Sequence, residues 1–397
     1  MDEMRKIAVV TGARAEYWIL RPLLNEIKND PDLELRLIVT GSHLLKEFGQ
    51  TINEIKNDEF KIDAEINILT SSIINDGITN SGVSIAMGNA MTHAPRVWEG
   101  LDPDIIVVLG DRYEVLALTA SAHVSRIPIA HIHGGELTEG AFDDSFRHAI
   151  TKMSYFHFTA ADEYRKRVVQ LGESPDRVFN VGALALDSMK GLNLLSKEAL
   201  EKELHFTFNK RNLLVTFQPV TLESDSEIQF QTLLNVLDEL EETNIVFTKA
   251  NADPGGSVIN TMIDEYVSRN TKKSAAFASM GHLKYFSTMK YVDAVVGNSS
   301  SGIIEAPSFK IGTINIGDRQ KGRIKAESVI DCVPSSEGIG KAFAKLYSKD
   351  FKAKIRHVSN PYDGENTAKK ILSILKSQMN NIELKKEFYN IGFKLKN

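Results

Sequence analysis

This sequence predicts an α/β fold with two doubly wound, mostly parallel sheets, and three observations predict it. The chain has 397 residues, about twice what one hydrophobic core supports, so two domains are expected. Short β-branched runs alternate with amphipathic helical stretches, the pattern of repeated βα units. The residues that directly follow these runs are unusually polar, and in open α/β sheets ligands bind beyond the carboxyl ends of the strands.

The runs can be placed in order. The first half offers KIAVV before Thr11, LRLIV before Thr40, DIIVVL before Gly110, IPIAHI before His133, YFHFT ending at Thr159 and VFNV before Gly182. The second half offers NLLVTF before Gln218, NIVFTK before Ala250, AAFAS before Met280, DAVVG before Asn298 and GTINI before Gly317. Residues 186–211 lose the strand signal and gain Lys, Glu, Ser and Asn, which puts the crossing between domains near Val181 to Lys210. The expected division is residues 1–185, residues 186–362 and a C-terminal helical segment, 363–397. Ile371, Leu372, Ile374 and Leu375 recur at helical spacing in that last segment, which is expected to pack back on the first domain.

Composition excludes several classes of function. With 42% hydrophobic and 25% charged residues the chain is an ordinary globular protein. No apolar run approaches the ~20 residues that span a membrane. The opening MDEMRKIAVVTG carries an apolar strand too short for a secretory segment. The single cysteine, Cys332, leaves no internal disulfide and no Cys-based metal cage, so a reducing cytoplasm is expected. A net charge of -5 provides no basic field for nucleic acid. Any phosphate ligand must then be held locally.

The candidate chemistry lies in the loops after the strands, in both halves, and is expected to face a cleft between the domains. The loops read Thr-Gly-Ala-Arg-Ala-Glu from Thr11, Gly-Asp-Arg from Gly110, His-Ile-His-Gly-Gly-Glu from His131, Lys-Ala-Asn-Ala-Asp from Lys249, Gly-Asn-Ser-Ser-Ser-Gly from Gly297 and Gly-Asp-Arg-Gln from Gly317. Ser299, Ser300, Ser301 and Gly302 open a predicted helix, GIIEAPSF, whose free N–H groups suit an anionic ligand. The bland reading is a serine N-cap with Glu305 in the first turn. Neither a dinucleotide fingerprint nor a phosphate-binding P-loop is present. Arg14, Arg112 and Arg319 follow strand ends, where a guanidinium can pair with phosphate oxygens.

Asp111, Glu136 and Asp143 are the carboxylates best placed for acid–base work. Asp111 could instead cap the next helix, and Asp143 with Arg147, four apart, could be only a helical ion pair. Glu136, after Gly-Gly, has the least structural reason to be there. His131 and His133 lie two apart on a predicted strand, hence on one face, which would suit a metal. No third ligand is apparent, so no metal and no cofactor is expected, and a catalytic or phosphate-contacting histidine is preferred.

The motifs TGARAEY, VLGDRYE, HIHGGE, DDSFRHAITKMS, NADPGG, GNSSSGIIEAPSF and INIGDRQKGR, in this order, resemble the hydrolysing UDP-N-acetylglucosamine 2-epimerases of bacterial sialic-acid pathways. The resemblance covers about residues 4 to 335. It implies a GT-B type fold, two Rossmann-like domains with the nucleotide bound mainly by the second, and a homodimer or homotetramer. It places Asp111, Glu136 and Asp143 in motifs that carry acid and base residues, with His133 and Gln218 completing the catalytic set. It assigns Arg14, Ser299, Ser300, Glu305 and Arg319 to the diphosphate and ribose. Arg112, Arg147, Asn251, Asp253, His282, Ser301 and Gly302 fill out the substrate set. Two positions depart from the pattern: some relatives have Glu where this chain has His133, and the usual F-H-P is Phe217-Gln218-Pro219.

The implied reaction is anti elimination of UDP across C1 and C2 to 2-acetamidoglucal, then hydration, releasing N-acetylmannosamine. Alternatives are the same chemistry on UDP-2,4-diacetamido-2,4,6-trideoxyglucose, a retaining glycosyltransferase, or a nucleotide-sugar sensor without turnover.

Overall fold

In the computed structural model, which describes residues 4–75, 78–139, 142–220, 225–250 and 255–392, every β-branched run named above forms a strand. The first sheet contains β1 (Arg5–Thr11), β2 (Leu33–Thr40), β3 (Ile62–Ile66), β4 (Ile105–Leu109), β5 (Ile129–Ile132), β6 (Phe156–Thr159) and β7 (Val178–Asn180). The second contains β8 (Arg211–Thr216), β9 (Thr243–Thr248), β10 (Ser274–Phe277), β11 (Ala294–Gly297), β12 (Gly312–Ile316) and β13 (Val329–Cys332). Two of these, β3 and β13, were not among the expected runs. Both are edge strands, and an edge tolerates the charged IDAEI and the short VIDC that a central position would not.

The first sheet runs β3-β2-β1-β4-β5-β6-β7 and the second β10-β9-β8-β11-β12-β13. Neighbouring strands pair in parallel, as Ile7 with Ile105 across β1 and β4 and Val296 with Val215 across β11 and β8. Strand order therefore reverses beside β1 in one sheet and beside β8 in the other. The carboxyl ends of β1/β4 and of β8/β11 are the switch points at which such sheets hold ligands.

Period-two alternation sends successive side chains to opposite cores. Ile7, Val9, Ile105 and Val107 join one cluster with Leu20 and Leu24. Ala8, Val10, Ile106 and Val108 join another with Ala86, Ala90 and Leu118. In the second sheet Leu213 and Val215 face Phe230 and Leu233, while Leu214 and Val295 face Phe286 and Met289.

Contacts divide the chain into two compact units. One comprises Met1–Glu136, Asp143–Ser188 and Tyr362–Asn397, the other Leu137–Phe142 and Met189–Pro361. The chain returns to the first unit at Tyr362, and Gly364 then packs against Gly182, which is in the left-handed region and where a Cβ would lie 2.3 Å from the Gly364 Cα. Helix Thr367–Gln378 follows, with Ile371, Leu372 and Leu375 in the same core as Val9 and Leu20. Its first turn is tied by Asp187, which accepts the Ala368 N–H at 2.8 Å.

The last described residues fasten to a buried carboxylate. Glu173, with a side chain 1% exposed, accepts from Lys152 at 2.5 Å and Lys386 at 2.9 Å, and pairs with His157 at 3.1 Å. Burial alone would raise its pKa, but hydrogen bonds from His157, Lys152 and Lys386 outweigh it and hold the group down at about 2. A depressed carboxylate stabilises the fold above its unfolded value and loses that contribution as pH falls through the folded one. Glu173→Gln is expected to cost about 3 kcal/mol in urea unfolding at neutral pH, because it removes the counter-charge of Lys386, whose side chain is largely buried. The gap to wild type should close as pH falls from 4.5 towards about 2. An unchanged unfolding midpoint would show that this cluster does not hold the tail.

Candidate active site

At the first switch point the chain leaves β1 through Thr11, Gly12 and Ala13 and enters helix Arg14–Lys28. Ala13 has no side chain to cap that helix. Glu16 supplies the cap, its Oε2 accepting the N–H groups of Gly12 at 2.7 Å and Ala13 at 3.2 Å. Glycine is required at position 12, because a Cβ would stand 2.6 Å from Glu114 Oε1. Arg112, after β4, bonds that same Glu114 oxygen through Nε at 2.6 Å and lies 4.0 Å from Glu16 Oε1. Burial first, and the neighbouring Glu114 second, push Glu16 up to about 8. Arg14 is partly buried, and burial lowers its pKa. Its guanidinium makes no hydrogen bond or ion pair among the described residues.

Asp111 does not cap the helix Tyr113–Val124, whose N-cap is Arg112. It is bonded instead to Arg147 Nη2, while Arg147 Nη1 donates to the His133 carbonyl at 3.0 Å. The Arg147 side chain is only 3% exposed, so Arg147 belongs to the interior of the unit rather than to an exposed helical ion pair. Asp143 and Asp144 occupy the first turn of helix Asp143–Met153, where negative charge meets the positive end of the helix dipole.

The two histidines of the HIHGGE segment part company. His131 is fully buried, with Nε2 2.8 Å from the Gly110 carbonyl and Nδ1 3.1 Å from Thr151 Oγ1. A carbonyl only accepts, so the proton sits on Nε2 and Nδ1 accepts from the hydroxyl. Burial drives its pKa to about 3, so it is neutral and structural. β5 ends at Ile132, and His133 adopts φ +66°. The expected shared face is thereby lost, because strand alternation does not extend to a left-handed residue. His133 Nδ1 lies 3.2 Å from Glu136 Oε1, and both side chains are buried. Gly135, at φ +78°, permits this turn, since a Cβ there would be 2.3 Å from the Tyr164 carbonyl. The first unit thus gathers Asp111, Arg112, His133, Glu136 and Arg147 at adjoining strand ends.

In the second unit the switch point is knitted by Asn298. Its Oδ1 accepts the Gln218 N–H at 2.7 Å, its Nδ2 donates to the Gln218 carbonyl at 2.8 Å, and its own carbonyl accepts from Arg319 at 3.2 Å and Gln320 at 2.8 Å. Gln218 and Arg319 are therefore brought together, by a residue the sequence reading did not single out. The expected helix GIIEAPSF is a correction. Only Ser301–Ile304 is helical, one turn, followed by the 3-10 segment Ala306–Phe309. Pro307, lacking an N–H, ends the α-helical pattern. Glu305 follows that turn instead of lying in its first turn, and Ser300 is the N-cap with no side-chain bond. Ser301 N–H goes to Ser299 Oγ at 3.3 Å, Gly302 N–H to the Ser299 carbonyl and Ile303 N–H to the Ser300 carbonyl. Ser301 Oγ accepts from Tyr285 at 2.8 Å. Gly302 packs on β12, a Cβ there meeting Thr313 at 2.6 Å. His282 stacks edge-on against Phe286, with ring centroids 5.2 Å apart. Asn251 and Asp253 lie outside the described residues.

Sequence reasoning missed Glu16, Glu114, Asn298 and Gln320. Each stands within the few residues that follow a strand, Glu16 and Glu114 in the first turn of the next helix, and each is buried. Their polarity just beyond a strand end was the signal available in the sequence.

Parallel sheets with polar residues converging on their switch points define an α/β enzyme of two units. A family model described as UDP-N-acetylglucosamine 2-epimerase matches residues 25–376. The chain belongs to that family and is an enzyme of that type. It is 45% identical over 349 residues to the GDP/UDP-N,N'-diacetylbacillosamine 2-epimerase (hydrolyzing) of Campylobacter jejuni, covering 88% of this chain and 89% of that one. It is 37% identical over 393 residues to the polysialic acid biosynthesis protein P7 of Escherichia coli, covering 98% of each. The UDP-GlcNAc 2-epimerase from Neisseria meningitidis bound to UDP-GlcNAc superposes with TM-score 0.80 at 18% identity, over 94% of this chain and 100% of that chain. That likeness is one of fold, the GT-B type. No described helix is long and apolar enough to cross a membrane.

Proposed function

We propose that this enzyme hydrolyses a nucleoside-diphosphate 2-acetamido sugar with inversion at C2, releasing the nucleoside diphosphate and the free epimerised sugar. The observation that carries the reading is Asp111 held by the Arg147 guanidinium, with Glu136 against His133, whose carbonyl accepts from the same arginine, in a member of this family. A carboxylate takes the C2 proton as the C1–O bond breaks, and the bonding pair leaves with the diphosphate. Water then adds at C1 and an acid returns a proton to C2 from the other face. One water is consumed and no electrons reach an acceptor, so the scheme requires no redox cofactor. Asp111, Glu136 and Asp143 are the acid–base candidates, with His133 beside Glu136. A positioned base contributes ~10²- to 10⁴-fold, and preorganised cations stabilise the departing diphosphate.

Arg14, Arg319, Ser299, Ser300 and Glu305 are assigned to the nucleotide. Gln218 can donate to a phosphate oxygen but carries no charge. The 45% identity with the Campylobacter enzyme favours a nucleotide-linked 2,4-diacetamido-2,4,6-trideoxyglucose as substrate. UDP-GlcNAc is the second reading, favoured by the family description.

Incubation with UDP-GlcNAc and with the UDP- and GDP-linked diacetamido sugars in D2O separates these. Release of nucleoside diphosphate is expected to be fastest from a diacetamido substrate, with deuterium at C2 of the product. Protium alone at C2 would exclude the elimination route, and binding without turnover would make the chain a sensor.

A further inference from the structure

Glu16 and Glu114 are buried ionisable groups that the scheme above does not use. They stand at the ends of the two strands, β1 and β4, between which the order reverses. Glu16 is 7% exposed and Glu114 0%. Only half of their oxygens are accounted for. Glu16 Oε2 takes the Gly12 and Ala13 N–H groups and Glu114 Oε1 takes Arg112 Nε. Glu16 Oε1 and Glu114 Oε2 are buried with no hydrogen-bond partner among the described residues. Gly12 lies against both carboxyls, its N–H on Glu16 and its open Cα side on Glu114.

Two ionised carboxylates around one guanidinium would leave a net negative charge in a buried place, with two acceptor oxygens unsatisfied. A single proton on Glu16 removes the net charge and turns its unpartnered oxygen into a donor. We propose that Glu16 carries a proton at neutral pH and that Glu16 and Glu114 act as a positioning pair, fixing Arg112 as the cation that receives the substrate diphosphate. Glu114 anchors Arg112 through Nε, and a protonated Glu16 leaves Glu114 as the one ionised carboxylate of the pair, so that the guanidinium's charge is not overcompensated. This inference rests on the nucleotide-sugar reading above.

Burial and Glu114 raise Glu16 to about 8, so the proton is present below that pH and lost as pH rises through it. Once it is lost, the cluster turns net negative and repels an anionic substrate. The charged groups facing Glu16 are Glu114, Arg112 and Asp111 from the segment after β4. His43, from the segment after β2, faces Arg112 and Arg14 but is held by burial at about 4 and does not titrate in this window.

The test has two independent readouts on the full chain. In turnover, KM for the nucleotide sugar is expected to rise through the alkaline range with kcat little changed. Glu16→Gln, which keeps a donor on that carboxyl and removes the titration, flattens the rise. Glu114→Gln, which loosens Arg112, raises KM about tenfold at neutral pH. In infrared difference spectra of the free protein, a protonated-carboxyl C=O band should titrate over the same range and vanish in Glu16→Gln. An alkaline rise that persists in Glu16→Gln, or a spectrum without that band, overturns the proposal. If no nucleotide sugar is turned over, the functional reading fails while the band still decides whether Glu16 holds a proton.

Discussion

Asp111→Asn is expected to lower kcat by at least ~10²-fold while the affinity for UDP is nearly kept. The exchange preserves shape and leaves one oxygen to accept from Arg147, and removes the charge and the exchangeable proton. Asp111 is suited to that work. Its side chain is 21% exposed, so a substrate can reach it, and the buried Arg147 fixes its orientation. Glu136→Gln and Asp143→Asn belong in the same series, since Glu136 lies against His133 and Asp143 opens the helix that carries Arg147. Steady-state kinetics with direct UDP titration reads both effects. A near-normal kcat in any of the three removes that residue from the mechanism, and a matching loss of UDP affinity moves it to binding.

Arg147→Ala should have the second large effect, on stability and on rate together. It empties a buried position that joins Asp111 to the His133 carbonyl, and breaking a buried pair from one side costs about 3 to 5 kcal/mol. Arg147→Lys separates the two consequences. Lysine restores a positive charge but not the planar fork that spans two acceptors. The lysine variant is therefore expected to recover most of the unfolding free energy, yet to remain at least ~10-fold slower than wild type. A lysine variant as fast as wild type would show that charge alone suffices, and that the link to the His133 carbonyl has no part in catalysis.

The strands and the loops that follow them were legible because their signals are local. A β-branched run between polar turns reads as a buried parallel strand wherever both faces are covered, which is why KIAVV and DIIVVL were plain. The edge strands Ile62–Ile66 and Val329–Cys332 lacked that signal, since an edge need not be apolar throughout. The serines, glycine and isoleucines around Ser301–Ile304 suit a longer helix than the one that forms. Pro307 and the close packing of Gly302 on Thr313 limit it to one turn.

The sequence by itself determined the α/β class, the polar strand ends and the motifs of the family. Only the tertiary structure decided which of those polar residues come together. Asp111 meets Arg147 across 36 residues, Gln218 meets Asn298 across 80, and Glu16 and Glu114 meet around Gly12 and Arg112. No local pattern encodes such pairs. They arise because parallel register brings the carboxyl ends of β1, β4 and β5, and of β8 and β11, side by side. The same register separates His131 from His133: one imidazole is closed into the sheet by Gly110 and Thr151, and the other, one residue beyond the strand, turns to Glu136.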